Sequence, residues 1–88
     1  TFEKPDFRAF RNLQLAYNSL EKGGNSPAIL NAANEVAVAR FLNDQIKFEQ
    51  LPDVVEHALN NVIYEKSTNL DALINSDLEA RRLASEFS

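Results

Sequence analysis

No cysteine, methionine or tryptophan occurs among these 88 residues, and glycine (two) and proline (three) are scarce. Without cysteine there is no disulfide framework, no thiolate metal site and no thiol nucleophile, and nothing calls for an oxidising compartment. So little Gly and Pro, beside 44% hydrophobic residues, excludes fibrous and disordered classes. Positive charge is short as well: nine Lys and Arg against thirteen Asp and Glu leave −4. Nucleic acid is bound through clustered cations, so the acid excess disfavours it as a partner. No apolar run approaches ~18 residues, and no charged-then-apolar leader opens the chain, so neither a membrane span nor a signal peptide is expected. The lack of any methionine fits a domain excised from a longer protein better than a complete gene product.

What remains is one domain, residues 1–88, with enough apolar surface for one modest core. Residues 1–10 mix Phe2, Phe7 and Phe10 with Pro5 and charges and show no period. They are expected to form an irregular arm, with one short helical turn at most, whose aromatic rings dock on a bundle formed by residues 11–88. Leu13, Ala16, Tyr17 and Leu20 recur at i, i+3, i+4 and i+7, which marks one face of a helix and predicts it from Arg11 to Lys22. Gly23 supplies the left-handed residue that ends it.

Ser26 as N-cap and Pro27 at the first helical position open a second helix, running to about Leu42. It is apolar almost all round, leaving only Asn31, Asn34, Glu35 and Arg40 polar, and so belongs in the middle of a bundle. Asn43-Asp44 ends it, and Ile46 and Phe48 mark a short extended link. A third helix, about Gln50 to Lys66, carries Leu51, Val54, Val55, Ala58, Leu59, Val62 and Ile63 on one stripe, with Pro52 harmless in its first turn. The tail reads as two pieces: a capped turn at Thr68 and Asp71, then a helix opened by Ser76 and Glu79. The expected class is all-α, a compact antiparallel bundle of three to four main helices.

Chemistry is hard to find in this pattern. His57, the one histidine, falls away from the apolar stripe of its helix and reads as a solvated surface group. Ser19, Ser26, Ser67, Ser76, Ser85 and Ser88 lie in no nucleophile-elbow context. Gly23-Gly24 is a helix terminator rather than a phosphate loop. Asp53 with Glu56, and Glu49 with Asp53, are placed where acids favour a helix N-terminus. Arg81-Arg82 is too short for a nucleic-acid patch. Asn31, Asn34 and Glu35 form the one polar cluster inside the oily second helix. One carboxylate makes a poor divalent-metal site, so the cluster is read as a structural network. On that reading Glu35→Ala costs about 1–3 kcal/mol by stranding buried donors. No catalytic, cofactor-binding or metal residue is assigned.

The run Leu30-Asn31-Ala32-Ala33-Asn34-Glu35-Val36-Ala37-Val38, followed by Phe41-Leu42 and Ile46-x-Phe48, closely resembles the C-terminal helical domain of the 1-deoxy-D-xylulose 5-phosphate reductoisomerases. The likeness extends to Thr1-Phe2-Glu3-x-Pro5-Asp6, Leu13-x-Leu15-Ala16, Gly23-Gly24, Pro27, Leu70-Asp71-x-Leu73, Asp77 and Ala80-Arg81. It departs at Arg11, where the family often has Pro. The resemblance implies part of a cytoplasmic, homodimeric oxidoreductase of the methylerythritol phosphate route to isoprenoid precursors. That enzyme rearranges its substrate and reduces the product with NADPH, assisted by Mg²⁺ or Mn²⁺. The family's NADPH-binding and catalytic domains, with the metal ligands, precede this segment, and none of their motifs occurs here. The fragment's partner is then the catalytic domain of the same polypeptide, and the fragment alone is inactive. Two other readings compete. One is a free-standing helical interaction module with the second helix as an exposed groove or dimer seam. The other is a small helical enzyme, which would need Arg8, Arg11, Arg40, Arg81 and Arg82 to converge.

Overall fold

A computed structural model describes the backbone of residues 7–88 and the side chains from Phe10 onward. The docking expected of Phe2 and Phe7 lies outside these described residues. Four helices follow in order: α1 (Phe7–Lys22), α2 (Ser26–Leu42), α3 (Leu51–Asn61) and α4 (Leu70–Glu86), with a 3-10 turn at Phe48–Gln50 before α3. Among the described residues there is no strand, and the all-α expectation holds.

α1 starts four residues before Arg11, so part of the expected arm is helix, and Phe10 stands in solvent instead of docking. Its end is as expected. Gly23 takes φ +68° and donates its N–H to the Ser19 carbonyl at 3.0 Å. The N-cap of α2 is Asn25 rather than Ser26, and neither it nor any other side chain caps the first turn; Pro27 sits within that turn. Past Leu42 the chain turns through Asp44 in the left-handed region, φ 60°, where a short polar side chain is tolerated. Ile46 then drops into the core, and a 3-10 turn replaces the extended link at Phe48.

α2 lies in the middle and packs against α4, α3 and α1. Ala32, Ala33 and Ala37 of α2, Ala58 of α3, and Ala80 and Ala84 of α4 all have no exposed surface. Small side chains at the crossings let helix axes approach closely, while Ile29, Val54 and Val55 fill the remaining volume.

Two boundaries depart from the sequence reading. α3 stops at Asn61 and Val62 turns extended (ψ 133°), so Ile63 leaves the stripe and is exposed. The tail is one helix rather than two pieces: Asn69 caps it by accepting from the Ala72 N–H at 2.8 Å, and Ser76 sits in its interior. One residue, an asparagine at the head of α2, bonds at both places.

Candidate functional site

Asn25 is fully buried and bonded through every polar atom of its side chain. Its Nδ2 donates to the Ile63 carbonyl and to Ser76 Oγ, each at 2.9 Å, and its Oδ1 accepts from the Glu65 N–H at 2.9 Å. Its backbone N–H donates to the Glu65 carbonyl, also at 2.9 Å. Ser76 Oγ in turn donates to the Ala72 carbonyl one turn back. One side chain therefore ties the head of α2 to the α3–α4 connection and to α4. The backbone groups at 63 and 65 bond to it instead of continuing α3, which is why that helix ends early. Gly24 makes the approach possible: at φ +55°, a Cβ there would lie 2.3 Å from the Glu65 carbonyl. Tyr64 closes the junction, its hydroxyl donating to the Lys22 carbonyl at 3.0 Å while Lys22 Nζ lies 4.5 Å over its ring.

The cluster expected at Asn31, Asn34 and Glu35 lies instead in solvent. Asn31 Nδ2 donates to Glu35 Oε2 at 3.2 Å, and Arg81 Nη2 reaches the same oxygen at 3.4 Å. Arg81 is held from the other side by Asp77 at 2.8 Å. These partners, Asp77 foremost, raise the Arg81 pKa above the ordinary arginine value. The expectation of buried donors at Glu35 is therefore corrected. Asn31, Asn34 and Glu35 face water because the opposite side of α2, with Ile29, Ala32, Ala33 and Ala37, is taken by its neighbours, and the Asn31–Glu35–Arg81 set works as a surface tie between α2 and α4.

Four further acids, Asp53, Glu56, Glu79 and Glu86, pair with guanidinium groups. Arg11 donates to Asp53 at 2.6 Å and to Glu56 at 2.8 Å, fastening α1 to the first turns of α3. Arg82 bridges Glu79 and Glu86 along α4. Arg40 Nη1 donates to the Ala84 and Phe87 carbonyls at 2.7 Å each, satisfying the C-terminal end of α4. His57 is half-buried rather than freely solvated, its ring 5.3 Å from that of Phe87, with Asn61 Nδ2 3.3 Å from its Nδ1.

A divalent cation needs several converging oxygens or imidazoles. Among the described residues no three His, Asp or Glu side chains form such a group, and the paired acids each face an arginine. The donor set does not fit a metal ion. The phosphates of a dinucleotide are commonly cradled by an open glycine loop at a helix N-terminus. Here the Gly24 backbone is covered by the Glu65 carbonyl, and that site does not fit one.

Sequence reading missed Asn25 because the Ser26-Pro27 pair explained the helix start without it. Arg40 was missed as a cap because its acceptors lie 44 and 47 residues away.

Comparison with known proteins gives concordant results. A family model described as DXP reductoisomerase C-terminal domain matches residues 1–83. The 1-deoxy-D-xylulose 5-phosphate reductoisomerase of Bacteroides fragilis is 51% identical over 87 residues, covering 99% of this chain and 22% of that protein. The enzyme of the same name from Nitrosomonas eutropha is 46% identical over 86 residues, covering 98% and 21%. A solved structure, the Zymomonas mobilis 1-deoxy-D-xylulose 5-phosphate reductoisomerase in complex with NADPH, superposes with a TM-score of 0.81 at 40% identity. That likeness covers 97% of this chain and 22% of that one. The chain thus spans about a fifth of the length of these relatives.

Proposed function

The chain belongs to the DXP reductoisomerase C-terminal domain family, and from that premise we propose that it is the helical accessory domain of a 1-deoxy-D-xylulose 5-phosphate reductoisomerase. The whole enzyme rearranges 1-deoxy-D-xylulose 5-phosphate and reduces the product with NADPH to 2-C-methyl-D-erythritol 4-phosphate, on the route to isoprenoid precursors. NADPH and Mg²⁺ or Mn²⁺ are held by the rest of the polypeptide, and the enzyme works as a homodimer in the cytoplasm without nucleic acid or membrane partners. No helix of the described residues is long and apolar enough to cross a membrane.

The observation that carries this reading is the match across residues 1–83 together with a helical fold shared at a TM-score of 0.81. The role left to these residues is mechanical. The Asn25 junction, the Arg40 cap and the Arg81 tie hold four helices in one arrangement, so that the domain presents a fixed surface to the part that performs the chemistry. In particular, Asn31, Glu35 and Arg81 fasten α2 to α4 at the rim and take no part in the reaction.

The test is a comparison of polypeptides. The full-length protein is expected to oxidise NADPH when given 1-deoxy-D-xylulose 5-phosphate and a divalent metal. Deleting residues 1–88 is expected to abolish turnover. The 88-residue chain, once circular dichroism shows it helical, is expected to give no heat of NADPH binding at micromolar concentration. An inactive full-length protein, or micromolar NADPH binding by the isolated chain, would overturn the reading.

A further inference from the structure

We propose that the outward face of α1, formed by Phe10, Leu13, Tyr17 and Leu20, is the surface against which the preceding part of the same polypeptide packs. The proposal rests on the reading of this chain as the C-terminal domain of a longer enzyme.

α1 has two unlike sides. The side turned to the bundle carries Leu15, the buried Ser19, and Arg11 reaching the acids of α3. On the opposite side the four residues follow at spacings of three, four and three, which places them in one stripe. They are 64%, 59%, 63% and 70% exposed. A surface helix of a self-sufficient domain turns its apolar side inward. Here the outward side holds two aromatic rings and two leucines, while the inward side shares Leu15 and Ala16 with a serine and an arginine. A surface of that composition needs a cover.

The stripe also has the chemistry of an interface centre. From Asn12 to Leu20 no residue is charged, although a quarter of the chain is. Aromatic side chains and an absence of charge mark the buried middle of protein interfaces. α4 has exposed apolar residues too, at Leu70, Ile74 and Leu78. These are interleaved with Asp71, Asp77, Glu79, Arg81 and Arg82, and so fit a docking surface less well.

The occupant follows from length and connectivity. This chain corresponds to 22% of its relatives, and the matching family is a C-terminal domain, so most of the polypeptide precedes α1. A preceding domain is tethered close to the stripe and is therefore present at high effective concentration. Four side chains fall well short of the roughly 20–30 residues a side that a stable association of separate molecules uses. A tethered neighbour can use a patch of this size; a free partner or a second copy needs more.

The experiment uses the full-length enzyme with single cysteines introduced as Tyr17→Cys, Leu13→Cys and, as the exposed reference, Lys66→Cys. Maleimide labelling of each position is followed by peptide mapping. Positions 17 and 13 are expected to react at least about tenfold more slowly than position 66, as for sites that open only transiently, and to stay slow on dilution. Leu13→Cys decides the matter if Tyr17→Cys fails to fold. Labelling as fast as at Lys66→Cys overturns the proposal. So does protection lost on dilution to monomers, which would make a second copy the occupant. NADPH oxidation by the wild-type protein is measured in parallel. An active enzyme with rapid labelling at 17 and 13 overturns the docking face alone. An inactive enzyme overturns the functional reading, and the labelling rates still decide whether this face is covered.

Discussion

Two polar groups on the same helix, Asn25 at the head of α2 and the Asn31–Glu35 pair about two to three turns further on, have opposite standing. Asn25 has no exposed surface and three side-chain hydrogen bonds to groups 38 to 51 residues away. Asn31 and Glu35 are exposed, and the bond between them spans four residues. Water can replace any partner that Glu35 loses. Asn25 itself is shut off from water, and through part-buried bonds it holds the segment at 63 and 65, so no solvent molecule stands ready in its place. The difference shows that a polar residue's worth is set by what its neighbours could bond to if it were absent.

The largest blow to the comparison is Asn25→Ala. It removes the partners of the Ile63 carbonyl and the Glu65 N–H, leaves Ser76 only its bond to the Ala72 carbonyl, and is expected to lower stability by about 3 kcal/mol in urea titration. A loss under about 1 kcal/mol, within the net value of one ordinary hydrogen bond, would mean the junction is not enclosed. Gly24→Ala attacks the same junction through the backbone. The new methyl group meets the Glu65 carbonyl at a positive φ, and a loss of roughly 2 kcal/mol in a thermal melt is expected. Arg40→Ala probes the middle of the range. It removes both donors from the last carbonyls of α4, and about 1 kcal/mol is expected, with faster amide exchange confined to the end of that helix. Glu35→Ala should do least. With 57% of the side chain exposed, the expected change lies within about 0.5 kcal/mol and shrinks further in 0.5 M salt. A loss of about 2 kcal/mol there would restore the buried-network reading drawn from the sequence alone.

Much of the fold was legible because its signals are local. Gly23 ends α1, Pro27 opens α2, and the near absence of charge along α2 marks a central helix. Errors gathered where distant residues meet. α3 was read through to Lys66 because Val62 and Ile63 keep its period, but their stretch is claimed by Asn25, nearly forty residues earlier. Ser76 with Glu79 has the spacing of a capping box; in the structure Ser76 is a buried partner of Asn25 inside a continuous α4. The polar cluster of α2 was identified by residue and misjudged by depth, since sequence places residues on a face without saying what lies over it.

α1 carries the same lesson furthest. Periodicity grouped Leu13, Ala16, Tyr17 and Leu20 on one face without saying what covers it; in the structure Ala16 is half-buried and the other three stand in solvent.

The sequence by itself determined the all-α class, the end of α1, the span of α2 and the family, since backbone preference and side-chain spacing act over a few residues. Only the tertiary structure decided which face of each helix is covered, where α3 yields to Asn25, and which polar groups are enclosed. Those outcomes depend on which distant surfaces compete for the same side chains, and spacing along one helix carries no record of that competition.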